Sequence, residues 1–400
     1  MGVATPLSAS GRFIVDANGR RVKLAGVNWY GAHEDLGIPA GLEFVHRTTL
    51  AATIAGLGFN SVRLPFSLWM TARAAPAPAR YLAANPDLDG ATPMQVYDAC
   101  VRALTAAGLI VIPNCHMLDP GWCCSESDAN GLWFNDTWPA ARFFAAWQAI
   151  ADRYKAEPLV AGMDIMNEPR RATVGGRVLT PTWGGGGRTD LAAMYAAAGN
   201  LLHEINPDLL IICEGPEFAA TLAGVARHPV RLDRPGKVVY SLHDYAWFHP
   251  GRQSQAAYAR QMDAAAAGIL ARDAAPLWIG EFGTDTRPAA GSGSSPWWRN
   301  LRAWLAGTDA DWCWWALNPT QPRGTVPVTG QHRSGWGDPE WYGLLSRDWR
   351  RPGNPAVLDI LRSLIPPRVG PGVGAGPGSR PAAGLPGRLA ARLRRRLPGS

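Results

Sequence analysis

Two glutamates sit at the ends of short apolar runs, Glu168 in DIMNEPR and Glu281 in IGEFGT. Two carboxyls delivered in this way suit the cleavage of a glycosidic bond. One, protonated, gives its proton to the leaving oxygen, and the other, ionised, faces the anomeric carbon as positive charge develops there. Polar residues close other apolar runs in the same manner: Arg63 in SVRLPF, His116 in IPNCHML, Asn167 beside Glu168, Glu214 in ICEGP, His243 and Tyr245 in SLHDY, and Trp315 in WCWWAL. Each alone reads equally well as a surface residue or a satisfied core polar group, so the weight lies in their joint placement. In that set Arg63 and Tyr245 would hold a nucleophilic carboxylate ionised and oriented. Asn167, His116 and His243 would bind sugar hydroxyls, and Trp315 would form a floor beneath a sugar ring. Glu214 competes as a catalytic carboxylate, but neighbouring strands lie only about 4.8 Å apart, too close to Glu168 for a sugar ring between them. Strand seven therefore offers Glu168 the better partner.

The elements that must position these groups alternate. Apolar β runs at 23–29, 59–64, 109–115, 160–166, 208–213, 237–243, 276–280 and 311–316 are separated by helical patterns near 42–57, 93–107, 138–156, 189–205, 254–273 and 296–306, with a last one near 354–364. Only 215–235 lacks a full helix. Eight such units predict a (β/α)8 TIM barrel, and Gly26-Val27-Asn28 after the first run is no phosphate-binding turn of an open nucleotide-binding sheet. Residues 12–25, with Asn18-Gly19 between two β runs, predict an N-terminal β-hairpin covering one barrel end. The long stretches 117–137, 170–188 and 317–350 follow strands and belong on the C-terminal face, where barrel sites form. One catalytic domain is expected over 1–366, and the Pro/Gly/Arg-rich segment 367–400 reads as a disordered basic tail.

Composition narrows the partners. The net charge of +7 comes from seven arginines between Arg368 and Ser400, a stretch without acids, so the rest of the chain balances 32 basic against 32 acidic residues. That counts against a basic scaffold that binds nucleic acid or membranes, while the 18 tryptophans, as stacking surfaces, weakly favour an oligo- or polysaccharide. Trp29, Trp122, Trp133, Trp247 and Trp336 fall in loops or strand ends and could be platforms, although packing is the commoner fate of each. His33, Glu34 and Asp35 follow the first strand and are placed either to reach a hydroxyl or to pack. Leu385, Leu389, Leu393 and Leu397 recur at a four-residue spacing beside arginines, a pattern that could touch an anionic surface. No apolar run is long enough for a transmembrane segment. The first residues lack a signal-peptide pattern, so the chain as written is expected in the cytoplasm, or secreted if its true start lies upstream. Six cysteines without a CxxC pair give no metal site, no cofactor is called for, and a monomer is expected.

Taken together these residues resemble glycoside hydrolase family 5, the cellulase-like retaining hydrolases. Asn167-Glu168-Pro169 matches the family's Asn-Glu-Pro, Trp278 to Gly283 resembles its nucleophile segment, and Arg63, His116, His243, Tyr245 and Trp315 match its remaining site positions, over about 22–320. The resemblance implies Glu168 as acid/base and Glu281 as nucleophile, without metal or cofactor. It also implies a β-linked glycan as substrate, first of all β-1,4-glucan cut endoglucanase-like. An exo-acting β-glycosidase, a β-mannanase or a transglycosylase would use the same glutamates, and a binding barrel without activity would have lost one of them. The insert WCCSESDANGLW is similar to a branch of the family with vicinal cysteines, and for Cys123 and Cys124 free thiols are expected here, given the missing export signal.

Overall fold

In a computed structural model of the chain, which describes residues 2–125, 128–249, 251–287, 295–323 and 333–365, eight parallel strands close into a barrel. They are β1 (Ala25–Asn28), β2 (Ser61–Ser67), β3 (Ile110–Met117), β4 (Gly162–Asp164), β5 (Leu210–Glu214), β6 (Val238–His243), β7 (Leu277–Phe282) and β8 (Asp311–Trp314). Each lies within or overlaps one of the apolar runs read from the sequence, and β8 pairs with β1 to complete the ring. Helices α1 (Arg47–Gly56), α2 (Pro93–Ala106), α3 (Ala140–Tyr154), α4 (Leu191–Ile205), α5 (Gln255–Ala265) and α6 (Pro296–Thr308) run between strands, and α7 (Pro355–Ser363) follows β8. Their starts are written in the sequence. Thr92 and Gln95 form a capping box around Pro93, Asp190 and Ser254 cap α4 and α5, and Ser295 and Asn354 each precede a proline that opens a helix. Between β5 and β6 there are only the short turns Pro216–Ala219 and Ala223–Ala226, as the sequence suggested.

The barrel interior has two layers. Near the strand starts Ile110, Ile112, Leu210, Ile212, Val239, Trp278 and Cys313 pack with Leu7, Ile14, Val22 and Leu24, so the N-terminal hairpin stoppers that end. Its ladder differs in detail from the expected one. Ser8–Ser10 pair with Phe13–Val15, whereas the Asn18-Gly19 turn is followed only by the bridge from Val15 to Arg21. Toward the strand ends the interior turns polar: Arg63, Asn114, Asp164, Glu214, Ser241, His243 and Glu281 are all buried there. A register shift in β7 against β6 sets Glu281 opposite His243, a place that strict alternation from the inward-facing Trp278 would give to Gly280. Gly280 has to be glycine for that arrangement, because a Cβ on it would lie 2.7 Å from Ser241 Oγ and 3.2 Å from His243 Nε2.

Residues Gly2–Pro366 form one compact unit. No helix among the described residues is long and apolar enough to cross a membrane. The tail and its leucine repeat lie outside the described residues.

Candidate active site

Arg63, in the middle of β2 and fully buried, organises the polar layer. Its Nε donates to Asp164 (2.7 Å), Nη1 to Asn28 (3.0 Å) and Glu281 Oε1 (2.5 Å), and Nη2 to Asn167 Oδ1 (2.6 Å) and Glu214 Oε1 (3.0 Å). A guanidinium is suited to this task because its fork of fixed donors can serve several acceptors at once and does not lose its proton. Glu281 is held from both sides, since Tyr245 Oη donates to its Oε2 at 3.0 Å. His116 Nδ1 lies 4.0 Å from Glu281 Oε1 and 2.9 Å from Asn114 Oδ1. Burial, and after it the neighbouring His33, Arg63 and His243, push the pKa of His116 well below the ordinary histidine value, so it stays neutral.

Glu168 reaches the same polar cluster by another route. It lies four residues past the end of β4 with φ near 44°, a left-handed conformation that L residues adopt at a cost. Glu214 holds it there: Glu214 Oε2 accepts the Glu168 backbone N–H at 2.7 Å, and the Glu214 side chain is fully buried behind it. His243 Nδ1 donates to Glu168 Oε1 at 2.8 Å, and its Nε2 faces Glu214 Oε1 at 3.4 Å. One oxygen each of Glu168 and Glu281 and a ring nitrogen of His243 all fall within 4.8 Å of one another.

The charges on this cluster are unequal. Burial opposes ionisation of Glu214, yet His243, Arg63 and the Glu168 N–H together outweigh it and hold Glu214 at about 2. Burial likewise opposes the charge on His243, but Glu214, Glu281 and Glu168 raise it well above the ordinary value, so the ring is a cation. For Glu168 burial wins: its pKa is raised despite the His243 bond, with Glu281 adding to the rise. One carboxyl is therefore kept ready to be protonated, while Glu281 accepts from Arg63 and Tyr245.

A profile of the family described as "Cellulase (glycosyl hydrolase family 5)" matches residues 15–321. The chain belongs to glycoside hydrolase family 5. Among its relatives are a "Glycosyl hydrolase 5 family protein" of Chamaecyparis obtusa, 30% identical over 90% of this chain and 66% of that protein, and an "Endoglucanase" of Paenibacillus polymyxa, 30% identical over 77% of this chain and 79% of that protein. The chain thus spans just under two thirds of the Chamaecyparis protein's length. The solved catalytic domain of the major endoglucanase from Xanthomonas campestris pv. campestris superposes with a TM-score of 0.73 at 25% identity, over 90% of this chain and 99% of that domain.

Within this glycoside hydrolase all eight residues expected from the sequence lie in or beside one polar cluster, although the sequence reading missed Asn28 and Asp164. Both are the last residues of their strands, where Arg63 needs acceptors, but in the sequence each stands inside an apolar run, and a polar residue interrupting such a run is the signal that could have found them. Trp315 is less of an open floor than expected. It belongs to the main core, is 7% exposed, and stacks on Tyr30 (centroids 4.9 Å, planes 5°) and on His116 (5.4 Å, 13°). Trp29, Trp133 and Trp336 are buried packing residues, Trp122 meets Trp315 edge-on, and Trp247 is 62% exposed and stacked on Tyr245. His33 and Glu34 are buried 3.1 Å apart, with His33 against His116. Asp119 and Asp244 serve structure, Asp119 accepting from Asn135 and Trp138, Asp244 from Tyr258 and Trp297. The free thiols expected at Cys123 and Cys124 are a correction: the two are joined as a disulfide. Their segment is pinned on both sides, by Gly121 N–H to His33 O and by Ser125 N–H to Asp128.

Proposed function

We propose that this chain cleaves β-linked glucan, most directly β-1,4-glucan, with retention of configuration, using Glu281 as nucleophile and Glu168 as acid/base. The observation that carries the reading is the approach of the two carboxylates to within 4.8 Å, oxygen to oxygen, with donors on both oxygens of one and a raised pKa on the other. Inverting enzymes hold their carboxyls roughly 6.5–9.5 Å apart to seat a water, and retaining ones about 5–5.5 Å. Glu281 attacks the anomeric carbon as Glu168 passes its proton to the leaving oxygen. Glu168, now ionised, then takes a proton from the water that releases the sugar from Glu281. His243 follows this exchange as a cation bonded to Glu168, steadying its ionised form between the two steps.

Endo action fits the relatives' names. A cavity of about 620 Å³ touches His243 and is walled by Arg170, Phe218, Phe248 and His249, and neither Glu168 nor Glu281 is among its walls. The reading of endo action therefore rests on the names of the endoglucanase relatives. The test is mechanism-based trapping. A 2-deoxy-2-fluoro β-cellobioside with an activated leaving group should inactivate the enzyme and label the peptide containing Glu281. A label on Glu214, or an inverted first product seen by proton NMR on cellotetraose, would overturn the assignment.

A further inference from the structure

Beside Glu168 lies a group with no part in the double displacement. Cys123 Sγ is 3.7 Å from Glu168 Oε2 and 3.3 Å from Asn167 Nδ2, and Cys124 Sγ is 3.7 Å from the same amide nitrogen. Glu168 Oε1 is taken by His243, so Oε2 is the oxygen left to carry the proton to the leaving group, and that oxygen is the one the sulfur flanks. The contact is built in. Arg170, two residues past Glu168, donates to Ser125 O (3.0 Å), to Asp128 Oδ2 (2.5 Å) and to Glu168 O (3.0 Å), tying the cysteine loop and the acid/base segment into one unit. Gly131 closes the loop against the same residue, where a Cβ would lie 2.4 Å from Arg170 O.

A disulfide sulfur has no proton to give, whereas a thiol does. We propose that the Cys123–Cys124 disulfide is a wall of the catalytic cleft that keeps competing donors away from the proton-carrying oxygen of Glu168, so that its reduction turns the enzyme down. The proposal rests on Glu168 being the acid/base. Reduction brings two electrons and two protons to the sulfur pair, breaks the S–S bond and leaves two thiols. One S–H then donates to Glu168 Oε2, favours the ionised carboxylate and lowers the share of enzyme able to protonate a leaving group at a given pH. Reduction is selective for this pair, because the remaining thiols, Cys100, Cys115, Cys213 and Cys313, are already free and buried. Burial pushes Cys100 up to about 12 and raises the other three as well, which shields them from alkylation.

The experiment compares the folded enzyme before and after a water-soluble phosphine, which ends as its oxide with oxygen from water. Iodoacetamide labelling read by intact mass should add nothing before treatment and two groups afterwards, at Cys123 and Cys124. On cellotetraose, whose leaving group needs an acid, kcat/KM should fall by at least about fivefold. On 2,4-dinitrophenyl β-cellobioside, whose leaving group does not, it should change by less than about twofold. The alkaline limb of the cellotetraose profile should move to lower pH, and reoxidation should restore it. Replacing both cysteines by serine should reproduce the reduced enzyme and abolish its response to the phosphine. Two accessible thiols in the untreated active enzyme, full reduction without loss on cellotetraose, or equal loss on both substrates would each overturn the proposal. Failure of the underlying reading looks different: Glu168→Gln would then hydrolyse cellotetraose and the dinitrophenyl glycoside with the same proportional loss.

Discussion

The two carboxylates of the site are carried by regions built in opposite ways. Glu281 lies within β7, brought inward by a register shift, and both its oxygens accept from donors on other elements, Arg63 on β2 and Tyr245 two residues past β6. Glu168 lies beyond the end of β4 in a left-handed backbone conformation, held by the Glu214 carboxylate, a histidine cation and a loop wall of two sulfurs. The difference matches the work that the proposed roles ask of each. A nucleophile should stay ionised and in line, which fixed donors secure, whereas an acid/base has to change protonation twice per turnover and needs surroundings that oppose permanent charge.

The largest effect should come from Glu281. Glu281→Gln removes the proposed nucleophile but leaves hydrogen-bonding shape, so kcat should drop by at least about 10⁴-fold with little change in thermal midpoint. A variant that keeps more than about a tenth of the rate, a barrier change under about 1.4 kcal/mol, would break the contrast. Arg63 comes next because it serves both regions. Arg63→Met leaves Asp164, Glu214 and Glu281 without their shared cation, and denaturant unfolding should show a loss of about 3–5 kcal/mol together with a fall in kcat/KM of about a hundredfold or more. Normal stability in that variant would mean that the cluster relaxes to other partners.

Glu214 tests the support rather than the chemistry. Its pKa in the folded chain is about 2 against an ordinary 4.5, so its ionised form contributes stability above about pH 4.5 that is lost as the pH falls toward 2. Glu214→Gln should flatten that part of the stability profile and slow hydrolysis by about tenfold while leaving a measurable enzyme, since an amide oxygen can still accept from Glu168 N–H. A loss as deep as that of Glu281→Gln would reverse the roles of the two.

The strand-borne region was the more legible in the sequence. Apolar runs ending in Arg63, His116, Glu214, His243 and Glu281 mark both the barrel and its reaction face, because in a closed barrel only the strand ends can hold polar side chains toward a cavity. Asn28 and Asp164 end their strands in the structure but stand inside their apolar runs in the sequence, and so were passed over. What the sequence could not tell depends on loops and distant partners. Cellular compartment argued for thiols at Cys123 and Cys124, but the two are joined as a disulfide. The hairpin ladder forms on Ser8–Ser10, a stretch with no β pattern of its own. The stacking of Trp315 on Tyr30 joins positions 285 residues apart and has no local signature.

The smallest effect on catalysis is expected at the edge of that aromatic stack, where a half-buried carboxyl stands apart from both regions. Tyr30 Oη donates to Glu340 Oε2 at 2.9 Å while its ring lies on Trp315, so Glu340 reaches the site only through Tyr30 and acts as a positioning residue. Burial raises its pKa from 4.5 to about 7, against the opposing bonds from Tyr342 N–H and Tyr30. The sign follows from linkage. Between about pH 4.5 and 7 the unfolded chain releases this proton and the folded chain keeps it, so the group lowers stability progressively as the pH rises through that window and no further above it. Glu340→Gln cannot ionise but can still accept from Tyr30, and its thermal midpoint should therefore gain on the wild type from pH 4.5 to 7, with kcat/KM on cellotetraose changed by less than about twofold. A parallel pH dependence of the two proteins would show that Glu340 ionises as freely folded as unfolded. A large kinetic loss at unchanged stability would instead bring it into the sugar-binding surface, and the contrast between the Glu281 and Glu168 regions would then have to include a third carboxyl.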